Sequence, residues 1–247
     1  ILNHIRFHIA KFLLPKADGI RVVSERISNS LETIYPPNFL GDSKGKKVRR
    51  ASYKLKTTPV VLPIWTDIKK IIEYQPKIDL HKKYSQFEKI ILMMSRLEPE
   101  KDISFAIDAF AEVVKKYPKA GLIIVGSGSL ESVLKLQVTS YKLQNNVIFE
   151  PWTNDPISYY KTADIFLNTS LYEGYGLSLI EASASLCPVI STDVGIAREI
   201  GATIVSRNSS EIAEKILALK DASKPKNFSH TFLSKEKYLQ KYKNLLE

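Results

Sequence analysis

The sequence predicts an α/β fold whose main part is a doubly wound parallel sheet. From Lys89 onward, short apolar runs alternate with segments that have helical periodicity. Most of these helical segments are about ten residues or longer, as crossovers between parallel strands require. Glycine-bearing loops follow two of the apolar runs, at the places where an open sheet of this kind binds ligands. Residues 88–227 are therefore predicted to form one Rossmann-like domain.

Each element of this domain has a local signature in the sequence. The run KIILMM that starts at Lys89 is continuously apolar, which is typical of a strand buried on both faces. The segment after Pro99 carries Phe105, Phe110 and Val113 on one helical face. By the same reasoning, the predicted strands cover residues 89–94, 121–125, 147–149, 165–168, 188–191 and 203–205, and the predicted helices cover residues 99–117, 130–141, 156–162, 177–186 and 210–219.

The first 87 residues have a different texture. They contain strand-like runs over 19–24 and 60–62, with a helix that reaches Ile34 between them. Because two or three strands cannot bury a domain core, this part is predicted to be the end of a domain whose earlier part is absent. The predicted organisation is an incomplete first domain over 1–67, a linker with helical pieces over 68–87, the Rossmann-like domain over 88–227 and an amphipathic C-terminal helix over 228–247.

The composition excludes several classes of protein. With 44% hydrophobic and 25% charged residues, the chain can bury a core, which excludes disorder as its main state. The single cysteine, Cys187, cannot form an internal disulfide, which excludes a secreted disulfide scaffold. No run approaches the roughly 18 apolar residues of a membrane-spanning helix. Nothing at the start resembles a signal peptide, and since the first residue is Ile1, the chain can be a fragment of something longer.

The formal charge of +10 lies in the first third of the chain. Residues 1–87 carry 17 Lys and Arg against 7 Asp and Glu, whereas residues 88–247 carry 19 of each. The basic segment over 44–50 could be a solvated loop, a nucleic-acid patch or a contact with an anionic membrane surface. No recognition motif frames it, and Tyr53 is the single aromatic residue close behind it. We therefore expect no nucleic-acid partner and favour an anionic membrane surface, contacted through residues 1–60.

Two loops after predicted strands carry candidate phosphate-binding residues. In the first, Arg96 and Lys101 can reach over the sheet edge and suit a diphosphate, although surface charges that solvate a helix start would look the same. In the second, Gly126 and Gly128 begin a near match to the dinucleotide fingerprint GxGxxG. Glu150 follows about where a ribose-binding acid should be. Nicotinamide binding and a simple tight turn both remain open for that loop.

The third loop, which leads into a predicted helix, is the most informative. Backbone amides at Gly176 and Leu177, together with the helix dipole, make an anion site. Glu181 projects near that site and can accept two hydroxyl hydrogen bonds, as a ribose diol requires. Glu173 can meet hydroxyl groups on a part of the ligand beyond the phosphates. Taken alone, Glu181 could equally be an acid that compensates the helix dipole.

The run EGYGLSLIEA, from Glu173 to Ala182, resembles the E-x7-E motif of retaining glycosyltransferases of family 4, which have the GT-B fold. Other segments resemble family motifs in the same order, so the resemblance covers essentially the whole chain. These segments are ADGIRVVS, VVLPIWTD, SRLEPEK, VGSGS, ADIFLNTSLYEG and PVISTDVGIAREI.

The resemblance implies that residues 88–227 bind a nucleotide-diphosphate sugar, with UDP or GDP as the nucleotide. Residues 1–67 would then end the acceptor-side domain, and the helix over 228–247 would return to it. The residue roles that the resemblance implies are Arg96 and Lys101 on the diphosphate, Gly176 and Leu177 amides on the same phosphates, Gly126 and Gly128 in the donor-binding loop, Glu181 on the ribose and Glu173 on the transferred sugar, with Glu173, Arg96 and Lys101 as the catalytic set.

The implied reaction is retaining transfer of a hexose-type sugar to a glycan or lipid-linked acceptor, without a cofactor or metal. The enzyme would be cytoplasmic, at the inner face of the membrane if residues 1–60 bind there. No Asp and His set has metal-ligand spacing, and His4 and His8 lack a third ligand nearby. A nucleotide-sugar epimerase and a non-catalytic binding module remain alternatives. The chain alone is expected to transfer sugar weakly or not at all, because chemistry in a two-domain cleft needs both faces.

Several positions depart from the family pattern without removing a charged candidate ligand. They leave the base and sugar specificity open rather than the reaction class. The substituted positions are Ser95, Asp102, Ser129, Pro151, Ile64, Trp65 and Ile196. Asp193 and Glu199 lie in a loop predicted at the same sheet edge, with a structural role or a donor contact equally open.

Overall fold

The computed structural model describes residues 13–34, 55–219, 224–225, 227–228 and 232–246. The chain divides into two compact units, of which the first combines Ile1–Trp65 with Leu233–Glu247 and the second is Thr66–Phe232. Three expectations lie outside the described residues: the basic segment over 44–50, the pair His4 and His8, and nearly all of an amphipathic helix that the sequence indicates over 1–14. In the part that is described, no helix has the length and apolar character needed to cross a membrane.

The secondary structure follows the predicted order. The strands are β1 (Arg21–Val22), β2 (Val60–Val61), β3 (Lys89–Met94), β4 (Ala120–Val125), β5 (Val147–Glu150), β6 (Ile165–Asn168), β7 (Val189–Thr192) and β8 (Thr203–Val205). The helices are α1 (Glu25–Ile34), α2 (Ile68–Glu73), α3 (Leu80–Lys83), α4 (Ile103–Lys116), α5 (Glu131–Ser140), α6 (Pro156–Thr162), α7 (Leu177–Ala184), α8 (Ser209–Ala218) and α9 (Lys235–Leu246), and short 3₁₀ turns cover Leu14–Lys16 and Pro99–Lys101.

The second unit is built on a six-stranded sheet with the order β5-β4-β3-β6-β7-β8. Every pairing in it is parallel, which confirms the predicted α/β fold with a doubly wound parallel sheet. The chain runs outward from β3 to β5 and then returns to the other side of β3 to form β6. The direction of winding therefore reverses between β3 and β6, where an open α/β sheet forms its ligand crevice.

Helices cover both faces of this sheet because its strands alternate apolar side chains to the two sides. On one face, α4, α5 and α8 enclose a core in which Phe110 and Leu122 are fully buried. The helices α2, α6 and α7 contact one another in a separate layer. Phe166 of β6 packs edge-on against Tyr160 of α6, with ring centroids 5.2 Å apart.

The segment 68–87, expected as a linker, forms α2 and α3 and packs within the second unit. The side chain of Leu80 is fully buried, and Phe87 is nearly so. The backbone amide of Lys77 donates to Ser158 Oγ at 2.8 Å, and that of Leu80 donates to Thr162 Oγ1 at 3.2 Å. These bonds attach the segment to α6, so the packed unit begins near Thr66.

The first unit holds a two-stranded parallel pairing, β1 with β2, and the C-terminal helix α9. Arg21 of β1 connects them through its guanidinium group, which donates to Leu62 O at 3.2 Å and to the Tyr238 hydroxyl at 3.2 Å. The same group lies 5.8 Å from the centre of the Tyr242 ring. The Arg21 side chain therefore contacts both Leu62, which directly follows β2, and helix α9.

Asp164, from the segment ADIFLNTS, stabilises the amino-terminal edge of the sheet. Its Oδ2 atom accepts a hydrogen bond of 2.7 Å from the Ile90 amide and lies 2.9 Å from His81 Nε2. Its Oδ1 atom lies 3.4 Å from Lys89 Nζ, and the side chain is 16% exposed. This part of the motif therefore joins β3 to the start of β6 and lies at the edge opposite to the ligand crevice.

We expect Asp164→Ala to lower the free energy of unfolding by about 2 kcal/mol, because it leaves the Ile90 amide and Lys89 without their acceptor. Urea denaturation measures the change. The control Asp164→Asn keeps an oxygen for the Ile90 amide and should lose less. Equal losses for the two variants would contradict this account of the bond.

Candidate active site

The candidate site lies at the carboxyl-terminal edge of the six-stranded sheet. The loops after β3 and β6 flank the crevice, and the loop after β4 lies beside the first of them. The predicted residues Arg96 and Lys101 belong to the β3 loop, and Glu173 belongs to the β6 loop. The topology therefore brings these three residues to one edge, although more than 70 positions separate Lys101 from Glu173 in the direction of the chain.

Lys101 and Glu173 form an ion pair across the crevice. Their side chains are only 16% and 15% exposed, so water screens the pair weakly. Ser170 Oγ lies 2.8 Å from Glu173 Oε1 and 2.8 Å from Asn168 Oδ1, and both Ser170 and Asn168 are buried. The Glu173 carboxylate is thus fixed by Ser170, just after β6, and by Lys101 from the opposite side of the crevice.

The turn that presents Lys101 is fixed from two sides. Asp102, where the family pattern has glycine, adopts a left-handed conformation with φ 47° and ψ 43°. Aspartate tolerates that region better than most residues, and Arg207 binds its carboxylate at 2.8 Å. Thr169 Oγ1 lies 3.0 Å from the backbone oxygens of both Lys101 and Asp102. Where glycine would adopt this left-handed conformation freely, Asp102 is instead stabilised in it by the ion pair with Arg207.

Arg96 occupies the rim of the crevice. Its guanidinium group pairs with Glu100, and its side chain is 69% exposed. Because the Arg96 side chain is exposed, water screens the pair from that side, and Arg96 is accessible to an anionic ligand. The charge of the crevice itself comes from Lys101, with Arg96 at its entrance.

The glycines of the β4 loop are needed for contact between two loops. A Cβ atom on Gly126 would lie 1.9 Å from Ser95 O, and one on Gly128 would lie 2.4 Å from Leu97 O. The Leu97 amide also donates to Ser127 O at 2.9 Å. The near match to the dinucleotide fingerprint pointed to a ligand here, whereas the close approach that the structure shows is to the β3 loop.

Helix α7 begins at Gly176 and points its amino terminus into the crevice. No group in the described part of the chain accepts a hydrogen bond from the amides of Leu177 and Ser178. Free amides at the positive end of a helix dipole form an anion site. The predicted amide at Leu177 is therefore available to a phosphate.

Glu181, in the second turn of α7, differs from the other acids of the site. No cation in the described ranges pairs with it, and the group that faces it is the hydroxyl of Tyr160. Burial raises the pKa of Glu181 above the usual value for a glutamate, and the nearby Tyr160 hydroxyl offsets only part of that shift. A half-buried carboxylate without a cation is destabilising unless a ligand uses it.

Glu150, the candidate ribose acid of the dinucleotide alternative, is fully engaged elsewhere. Its carboxylate accepts hydrogen bonds from Lys83 Nζ at 2.7 Å and from the Tyr159 hydroxyl at 2.6 Å. The Tyr84 hydroxyl donates to it as well. With these three donors in place, Glu150 ties α3 and α6 to the end of β5, which weakens the nicotinamide interpretation.

The loop after β7 contains one further ion pair. Arg198 Nε and Nη2 each bind Asp193 at 3.0 Å, in the bidentate geometry that favours a stable pair. Asp193 thus has a partner within the protein. This agrees with a structural role for Asp193, which was one of the two roles left open.

Three residues that contribute to the site were not among the candidates from the sequence: Arg207, Ser170 and Tyr160. Arg207 lies 105 positions from Asp102. Ser170 reads as part of a buried polar strand end, and Tyr160 reads as an ordinary core residue of α6. For Ser170, the segment ADIFLNTSLYEG could have given a hint, because it places that serine three residues before Glu173.

Comparison with known proteins identifies a matching family and several relatives. A family model described as Glycosyl transferases group 1 matches residues 77–231. The poly(glycerol-phosphate) alpha-glucosyltransferase of Bacillus subtilis is 36% identical over 156 residues, which are 60% of this chain and 23% of that protein. The alpha-monoglucosyldiacylglycerol synthase of Streptococcus pneumoniae is 33% identical over 149 residues, 57% of this chain and 34% of the relative. The chain therefore spans less than half the length of these relatives.

Two solved structures share the fold. A mutant of Staphylococcus aureus TarM, crystallised with fondaparinux, alpha-GlcNAc-glycerol and UDP, has a TM-score of 0.72 at 24% identity over 94% of this chain and 44% of the other. Anabaena HepE, crystallised with UDP and glucose, has a TM-score of 0.69 at 20% identity over 87% of this chain and 57% of the other.

We expect Glu181→Gln to raise the free energy of unfolding of the ligand-free protein at neutral pH, by about 1 kcal/mol. The folded state raises the pKa of Glu181, so the ionised carboxylate opposes folding above that raised pKa. The advantage of the variant should shrink as the pH falls to the ordinary glutamate value and should vanish below it, where both states are protonated. Urea denaturation across that pH range measures it, and an advantage independent of pH would contradict the assignment.

Proposed function

Because the chain belongs to the glycosyl transferases group 1 family and has the GT-B glycosyltransferase fold, we propose that it is the donor-binding part of a retaining glycosyltransferase. The proposed reaction moves a hexose-type sugar from a nucleotide-diphosphate sugar to a glycan or lipid-linked acceptor. Two groups on helix α7 carry this proposal: the carboxylate of Glu181, which has no cationic partner among the described residues, and the Leu177 amide four residues earlier, which has no acceptor among them. A ligand with hydroxyl groups beside phosphates would satisfy both.

The proposed roles follow from the positions of the side chains. Lys101 and the α7 amides bind the diphosphate, with Arg96 at the entrance, and Glu181 accepts hydrogen bonds from the ribose. Glu173 lies across the crevice from Lys101 and would bind hydroxyl groups of the transferred sugar. When the glycosidic bond to the diphosphate breaks, negative charge develops on the leaving phosphate, and Lys101 and the helix dipole stabilise it.

This arrangement supports a reaction that does not depend on a metal ion. The positive charge that a divalent cation would bring to the diphosphate can come from Lys101, Arg96 and the amino terminus of α7. We propose UDP as the preferred nucleotide, since TarM and HepE were both crystallised with it.

The acceptor and the cellular location are proposed from the relatives. Their names describe the glucosylation of a glycerol-phosphate polymer, which is anionic, and the synthesis of a glucosylated diacylglycerol, which is a membrane lipid. Either acceptor would suit an enzyme at the cytoplasmic face of the membrane. The positive charge of residues 1–87 would favour such an anionic surface.

Titration of the chain with UDP-glucose, GDP-mannose and ADP-glucose tests donor binding directly. We expect one of them to bind and Lys101→Ala to weaken that binding by about 10- to 100-fold, because a desolvated cation on a phosphate contributes about 1.5–3 kcal/mol. The matched control is Lys119→Ala, which removes an exposed lysine paired with Glu88 before β4, at the opposite edge of the sheet. If none of the three donors binds, or if both variants lose equally, the proposed function is wrong.

Glu173→Gln should separate the sugar site from the phosphate site. The variant removes the carboxylate that competes for Lys101, so its affinity for UDP should stay unchanged or rise. Its additional affinity for UDP-glucose over UDP should fall, because the amide accepts sugar hydroxyl groups less strongly than a carboxylate does. Isothermal titration with both ligands measures the two effects, and a parallel loss for UDP and UDP-glucose would place Glu173 outside the sugar site.

A further inference from the structure

Tyr160, in the middle of α6, is a fully buried tyrosine with an unsatisfied hydroxyl group. Its relative exposure is 0%. Among the described residues, none accepts a hydrogen bond from this hydroxyl at normal geometry. A buried hydroxyl without an acceptor is destabilising, and a phenylalanine would fill the same space without that penalty. Packing alone therefore does not explain a tyrosine here.

The hydroxyl of Tyr160 faces the candidate ribose acid. Helices α6 and α7 pack against each other, and Glu181 is the charged group close enough to affect Tyr160. The two groups are complementary, since a phenol hydroxyl donates and a carboxylate accepts. Burial and the Glu181 charge keep the pKa of Tyr160 well above its usual value, so the hydroxyl carries its proton at neutral pH.

The ring of Tyr160 is fixed by its packing. It packs edge-on against Phe166 of β6, at an interplanar angle of 82°. Its neighbour Tyr159 is bound to Glu150, which ties the same turn of α6 to the end of β5. The hydroxyl is therefore presented to Glu181 from a rigid position, as a positioning group requires.

We propose that Tyr160 is a positioning residue for nucleotide binding: in the nucleotide complex its hydroxyl donates to Glu181 and orients that carboxylate towards the ribose diol. This inference rests on the proposed function, because it needs Glu181 to bind the ribose. A carboxylate has two oxygens with room for several donors. Tyr160 would hold one side of it from within the protein, which leaves the other side to the two ribose hydroxyls.

The test compares two ligands on three proteins. The ligands are UDP and its dideoxy analogue, which lacks both ribose hydroxyls, and the proteins are the unchanged 247-residue chain, Tyr160→Phe and the matched control Tyr159→Phe. We expect Tyr160→Phe to bind UDP about fivefold more weakly and to bind the analogue within about twofold of the unchanged chain. Tyr159→Phe removes a hydroxyl that is bound to Glu150, so the ratio between its two affinities should match that of the unchanged chain.

Outcomes of this experiment separate the inference from the function on which it rests. If the unchanged chain prefers UDP to the analogue but Tyr160→Phe weakens both ligands equally, or neither, Tyr160 does not position Glu181 and the proposed function stands. If the unchanged chain binds no UDP, or binds both ligands equally, the ribose site and the inference both fail.

Discussion

The pairing of β6 with β3 is the constraint on which the site depends. Only two residue pairs make it, Ile91 with Ile165 and Leu92 with Phe166. Because the pairing is parallel, both strands end at the same edge, and the loops that carry Lys101 and Glu173 face each other across the crevice. The buried polar group at Ser170 and the anchored turn at Asp102 then convert this rough proximity into a fixed geometry.

The acids of the site fall into two kinds, and the difference is physical. Glu100, Glu150 and Glu173 are neutralised by cations and contribute to the folded structure. Glu181 is half-buried and has no cation in the described ranges, so the folded protein tolerates it at a loss of stability. Such a residue is a functional candidate on electrostatic grounds alone, which agrees with its place in the E-x7-E motif.

The sequence predicted the fold and the acids and cations of the site, because those depend on local periodicity and on residues within one loop. The strands over 165–168 and 203–205 match to the residue. What it could not predict depends on partners far along the chain. The pair Asp102 and Arg207 is made by the topology, and no local pattern shows that Gly126 lies against the backbone oxygen of Ser95. Whether the buried hydroxyl of Tyr160 has an acceptor also depends on residues distant in the sequence, and the described residues provide none.

The ion pair between Lys101 and Glu173 has a consequence for selectivity. In the ligand-free crevice the two opposite charges nearly cancel, so the field that reaches solvent is weak and a small anion gains little by entering. Inorganic phosphate could compensate Lys101 only by leaving Glu173 without a cation in a poorly hydrated place. A sugar nucleotide can separate the pair and satisfy both members, with phosphate oxygens for one and hydroxyl groups for the other. The ligand-free crevice therefore favours ligands that carry both a phosphate group and hydroxyl groups over ligands that carry only one of them.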